Sequence, residues 1–83
     1  MNSNSQEIKV VIASDVSGRD GIGVEIYIRE ELMLEIFRDD TKKSREVILY
    51  KQDVPLTVVE EAIAIFKREI PWDFIGYDEH SQK

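Results

Sequence analysis

Apolar and polar side chains alternate with a period of two along the first half of the chain, and with a helical period after residue 55. EIKVVIAS is rich in β-branched residues and predicts a first strand over residues 7–14. In IGVEIYIR, residues 22–29, Val24, Ile26 and Ile28 share one face while Glu25, Tyr27 and Arg29 share the other. LMLEIFR repeats the pattern, setting Leu32, Leu34 and Ile36 against Met33, Glu35 and Phe37. Two strands so close in sequence form a hairpin. A three-residue loop keeps their apolar faces together, with Ile28 against Leu32, Ile26 against Leu34 and Val24 against Ile36. This register also sets Glu25 opposite Glu35.

DDTKKS reads as a turn and REVILYK, residues 45–51, as a fourth strand. If the meander continues, Val47 and Leu49 join the apolar face, and Glu46, Ile48 and Tyr50 the other. In PLTVVEEAIAIFKREI, Leu56, Val59, Ala62, Ile63, Phe66 and Ile70 form one helical stripe. Pro55 suits the first turn, Thr57 to Glu60 has capping-box spacing, Lys67 and Arg68 favour the last turn, and Pro71 stops the helix. The predicted fold is α+β: a four-stranded antiparallel meander followed by one C-terminal helix packed on one face, β-β-β-β-α in two layers. Residues 1–6 and 78–83 are polar and read as a disordered N-terminal tail and a mobile C-terminal tail, leaving a single domain over 7–77.

Composition narrows the function classes. A chain of 83 residues, 42% hydrophobic and 34% charged, supports one core and lies far from the composition of disordered proteins. There is no cysteine, so disulfides, thiolate chemistry and Cys-ligated zinc are excluded; a reducing, cytoplasmic setting is expected. The N-terminal MNSNSQ is unlike a signal peptide, and no apolar run reaches membrane-spanning length. The net charge of −6 argues against a nucleic-acid binder. Residues 8–72 carry 10 basic and 13 acidic side chains, an interspersed balance compatible with a basic protein partner.

Candidate chemistry is sparse. SDVSGRDGIG, residues 14–23, offers Asp15 and Ser17 to an EF-hand, but Arg19 and Ile26 stand where oxygen ligands belong. Its glycines are spaced G-x-x-G-x-G and lead into a strand, so the loop is no phosphate cradle. A turn accounts for it, with Asp20-Gly21 supplying positive φ and Ser17-Gly18 bending the connection. Meander topology gathers Asp15, Arg19, Asp20, Arg38, Asp39, Asp40 and Trp72 on one rim, where the carboxylates Asp15, Asp20, Asp39 and Asp40 offer oxygen ligands to a divalent metal or a small enzyme's site. The interleaved Arg19, Arg38, Lys42 and Lys43 favour a solvated rim of ion pairs instead. His80, the one histidine, lies in the polar tail, away from the packed neighbours a general base needs. The reading names no catalytic, cofactor or metal residue.

The sheet itself is the informative surface. One helix about 10 Å wide shields one face of a four-stranded sheet nearly 20 Å across, helped by Trp72, Phe74, Ile75 and Tyr77. The helix-free face then presents Val11, Tyr27, Met33, Phe37, Ile48 and Tyr50 around Glu25, Glu35 and Glu46. Aromatics and methionine beside carboxylates suit an interface for a basic partner, or for a second copy of the chain as a homodimer. Small acidic proteins of the immunity or antitoxin kind mask basic enzymes through such surfaces, an analogy of surface alone. The expectation is a non-enzymatic protein-binding domain.

Overall fold

The computed structural model describes residues 7–15 and 20–76. Four strands, β1 (Ile8–Asp15), β2 (Gly21–Ile28), β3 (Glu31–Asp39) and β4 (Ser44–Leu49), form one antiparallel sheet in the order β1-β2-β3-β4. A helix, α1 (Leu56–Glu69), follows. This is the predicted β-β-β-β-α architecture. The two tails, Tyr77 and the middle of the 14–23 loop, including Ser17, Gly18 and Arg19, lie outside the described residues.

The β2–β3 hairpin reaches the expected register by a different route. Ile26 pairs with Leu34, Val24 with Ile36, and Glu25 with Glu35, but Ile28 faces Glu31 where Leu32 was predicted. The turn has two residues, Arg29 and Glu30, both at positive φ (51° and 67°) as tight hairpin turns of the primed type require. A bulge then absorbs one residue: Ile26 opposes Leu34 while Tyr27 opposes Leu32, so Met33 is the extra one. The short turn and the bulge together leave the apolar faces aligned.

Gly21 is a strand residue. Neither it nor Asp20 has a positive φ, so the predicted turn role is replaced by another. A Cβ on Gly21 would run into the carbonyl of Arg38, and one on Gly23 into the carbonyl of Ile36, with Phe37 ring atoms at 3.2 and 3.0 Å. Both positions need glycine because β3 and the Phe37 ring approach too closely for any side chain.

Helix α1 packs on β2 and β3, the two central strands. Its buried residues are Val58, Ala62, Ile65 and Phe66, joined just past its end by Ile70, and they close on Val24, Ile26, Leu34 and Ile36. The predicted stripe is therefore rotated: Leu56 and Ile63 are exposed and Val59 is partly buried, while Val58 and Ile65 take the core positions. Pro55 occupies the N-cap without a side-chain cap, so the Thr57 to Glu60 capping box does not form. Among the described residues no helix is long and apolar enough to cross a membrane.

Candidate functional site

Within the rim, where a solvated set of ion pairs was predicted, Arg38 and Asp40 form a buried clamp. The Arg38 guanidinium donates from Nε to Asp40 Oδ1 at 2.9 Å and from Nη2 to Oδ2 at 3.1 Å. Both side chains are almost fully buried, 3% and 1% exposed. Arg38 Nη1 donates to the Pro71 carbonyl at 2.7 Å, and the Ile75 N–H donates to Asp40 Oδ1 at 3.2 Å. The pair thus ties the chain leaving α1 to the end of β3, the convergence that the meander implies. Asp40 N–H also donates to the Asp20 carbonyl at 2.7 Å.

Asp39 shapes the next turn. Its Oδ1 accepts the N–H groups of Thr41 and Lys42, each at 3.0 Å, and Lys43 closes the turn at φ 58°. Asp40 is spent on Arg38 and Asp39 on its turn, so these two rim carboxylates have structural work. No group of three His, Cys, Asp or Glu side chains is placed to hold a metal among the described residues. Asp15, opposite Gly21 in the ladder, is not drawn into such a set. A cleft of about 230 Å³ lies at this end, lined by Ser14, Asp20, Ile22 and Ile75 together with the engaged Arg38 and Asp40.

The helix-free face differs from the surface expected of it. Glu25 and Glu35 oppose each other as predicted, and each accepts a phenol: Tyr27 at 3.0 Å and Tyr50 at 3.4 Å. The hydrogen bond to Glu25 raises the Tyr27 phenol above its usual pKa of 10.0, reinforced by desolvation and by the negative charge of Glu25, Glu35 and Tyr50. Phe37, expected as an exposed anchor, is 0% exposed, and Glu35 is buried as well. The glycines at 21 and 23 leave the strip of β2 on which the Phe37 ring lies. Glu46 is held by Lys42 at 2.7 Å and Ser44 at 2.9 Å. Of the predicted contact set, Tyr50 is exposed, while Tyr27, Met33, Ile48, Glu25 and Glu46 are half-buried.

The exposed apolar surface lies on the other side, beside the helix. Val47 and Leu49 pair with Ile36 and Leu34, so they share the helix face, yet they are 51% and 57% exposed. The reason is geometric: α1 covers β2 and β3, and β4 projects beyond it. Between β4 and α1 runs a groove of about 140 Å³, with Phe66 and Ile36 at its floor and Val47, Ile63 and Trp72 along its sides. Its charged members are both cationic, Arg45 and Lys67.

Trp72 forms one wall because Arg45 holds it. Arg45 donates from Nε and Nη2 to the Trp72 carbonyl at 3.1 and 2.8 Å. Its guanidinium stacks between the rings of Trp72 and Phe74, 3.8 and 4.2 Å from their centroids. Trp72 also meets Phe66 edge-on at 6.3 Å, and Lys67 Nζ lies 5.9 Å from the indole.

Among the described residues no further strand pairs with the outer edge of β4 along this groove. Tyr50 N–H donates to the Met33 carbonyl, which fixes the alternation: residues 44, 46, 48 and 50 turn their backbone groups toward β3, and 45, 47 and 49 turn theirs outward. The outward residues are Arg45, Val47 and Leu49, whose side chains face the groove side. The rotation of α1 that exposes Ile63 and the projection of β4 are the features that sequence reasoning missed. Compared with protein-family models, curated proteins and solved structures, the chain shows no significant match.

Proposed function

We propose that this is a non-enzymatic protein-binding domain that accepts an extended segment of another chain on the outer edge of β4. The observation that carries the reading is the coincidence of outward backbone groups at 45, 47 and 49 with exposed Val47 and Leu49. Edge strands that do not recruit partners are usually blunted by charge, proline or a covering element. In β4 the outward-facing positions are instead mostly aliphatic. Strand addition at such an edge draws affinity from main-chain hydrogen bonds and specificity from pockets for alternate side chains, and the β4–α1 groove is such a pocket.

The helix-free face supports binding less well, because Phe37 and Glu35 are buried and Glu25 and Glu46 already hold partners. A basic partner or a homodimer seated there would have Tyr50 as its main exposed anchor. Site-specific photocrosslinking in the native cell separates the two faces. A benzophenone side chain at position 47 should yield discrete crosslinked protein species; at position 27 or at the exposed helix position 60 it should yield none. Crosslinks from 27 without crosslinks from 47 would refute the β4 reading.

A further inference from the structure

Resting on that reading, we infer the chemistry of the segment that fills the β4 edge: it alternates apolar residues and carries Asp or Glu at the end that meets Arg45, although this chain is itself acidic. Residues opposite each other across a ladder share a face. A strand added to β4 therefore sets three alternate side chains against Leu49, Val47 and Arg45. Two of these neighbours are aliphatic and exposed. The third is a cation whose Nε and Nη2 are turned to the Trp72 carbonyl, leaving the Nη1 donors. Lys67 lines the same groove and makes no ion pair among the described residues; its recorded neighbour is the Trp72 ring. Among the described residues no acidic side chain lines the groove. Charge complementarity thus asks for Asp or Glu at the Arg45 end. For an antiparallel segment read from its N-terminus, the pattern is apolar-x-apolar-x-acidic; for a parallel one it is acidic-x-apolar-x-apolar.

The β4 strand of a second copy does not meet that demand. Two β4 strands pairing antiparallel about Val47 would set each Arg45 against the other copy's Leu49, and Glu46 against Ile48 on the opposite face. No carboxylate of β4 would reach Lys67. That self-pairing leaves both cations unanswered, so the occupant assigned to the edge is an acidic-ended segment of a different protein and not β4 of a second copy.

The probe is a yeast-displayed library of random nonapeptides, sorted against the labelled full chain. Two variants control the surface. Val47→Pro removes an outward N–H and so spares the β3–β4 ladder, while blocking strand addition. Lys67→Glu reverses the sign of one groove cation. The expected outcome is enrichment, by about tenfold or more, of the alternating apolar pattern with Asp or Glu at its end; loss of those clones on Val47→Pro; and a turn toward Lys or Arg on Lys67→Glu. Circular dichroism and melting of each variant verify that it is folded, and Val47→Lys replaces Val47→Pro if the proline variant is not. Enrichment of alternating apolar peptides indifferent to charge, or with basic ends, overturns the acidic-segment inference and leaves β4 docking standing. No enrichment with a chain that sediments as a dimer assigns the edge to a second copy, which also overturns it. No enrichment with a monomeric chain refutes the β4 reading together with the inference.

Discussion

Arg38 and Arg45 stand directly opposite each other in the β3–β4 ladder, carry the same guanidinium, and are secured in contrasting ways. Arg38 is buried and takes a bidentate carboxylate, Asp40, before it reaches the Pro71 carbonyl. Arg45 is half-buried and takes a neutral carbonyl and two aromatic faces. Like charges directly opposite are unfavourable, and here the Asp40 carboxylate neutralises the buried member, so Arg45 faces an ion pair with no net charge. Burial decides which solution works. A charge withdrawn from water needs a counterion and filled donors, whereas one still touching water can be held by a dipole and the quadrupoles of rings. Both arginines grip the same short segment after α1, at Pro71 and at Trp72, and that grip is what builds the Trp72 wall of the groove.

The largest break in this comparison is Arg38→Ala. It strands the Asp40 carboxylate in the interior with the Ile75 N–H as its remaining recorded donor, and should cost about 3–5 kcal/mol in urea denaturation. That is a large share of the roughly 5–15 kcal/mol available to a domain. Replacing both partners, Arg38→Met with Asp40→Leu, should recover most of the loss, since no charge is then left buried. A single variant losing less than about 1 kcal/mol would mean that the pair is hydrated and that the contrast with Arg45 does not exist.

Arg45→Ala comes next, at about 1–1.5 kcal/mol, the scale of a partly exposed cation–π contact plus a charge-assisted hydrogen bond. Arg45→Lys should recover less than half, because an ammonium cannot stack flat between Trp72 and Phe74 while donating two N–H groups to one carbonyl. The chain's one tryptophan is its own reporter. Its emission should shift in folded Arg45→Ala and again in Arg45→Lys; an unshifted spectrum would show that the guanidinium does not hold the indole.

Much of this was legible in the sequence, and the remainder was hidden for definite reasons. Strict alternation set the faces of β2, β3 and β4, which is why Glu25 meets Glu35 and why Val47 and Leu49 share the helix face. Connectivity alone gathered Arg38, Asp40 and the chain near Trp72 at one end. The bulge at Met33 left no mark, because alternation reads the same whether a loop is one residue longer or a strand carries one extra residue. The chain is apolar at 56, 58, 59, 62, 63, 64, 65 and 66 within α1 and at 70 just past it, so two overlapping stripes compete, and packing on β2 and β3 selects the one through Val58 and Ile65. The exposed surface was missed for a related reason. A helix about 10 Å wide on a sheet nearly 20 Å across leaves uncovered not only the opposite face but the outer strands of its own face. Val10 and Ile12 on β1, and Val47 and Leu49 on β4, are those strands' apolar residues. Rim polarity misled in the same way, since charge counting sees Arg38 and Asp40 as surface ions and only the fold shows the segment after α1 closing over them.

The smallest effect is the sharpest test of how Arg45 is held, and it uses salt. At an ionic strength of about 0.1 M exposed charges feel one another over roughly 10 Å, and at 1 M over roughly 3 Å. A residue bound through distant carboxylates would lose its contribution across that range. Arg45 is bound through a carbonyl at 2.8 Å and a ring centroid at 3.8 Å, distances that leave no room for screening ions. The cost of Arg45→Ala should therefore change by less than about 0.3 kcal/mol between the two conditions. Lys51 is the internal contrast. Its Nζ meets Glu31 at 3.2 Å with side chains 42% and 64% exposed, an ion pair in full contact with solvent. Lys51→Ala should cost at most about 0.5 kcal/mol in low salt and nothing measurable at 1 M. Paired urea titrations of the wild type and both variants at the two salt concentrations read this directly. If the Arg45 term falls with the Lys51 term, Arg45 is an ordinary surface ion, and the distinction between a carboxylate-held and a ring-held arginine collapses to one of burial alone.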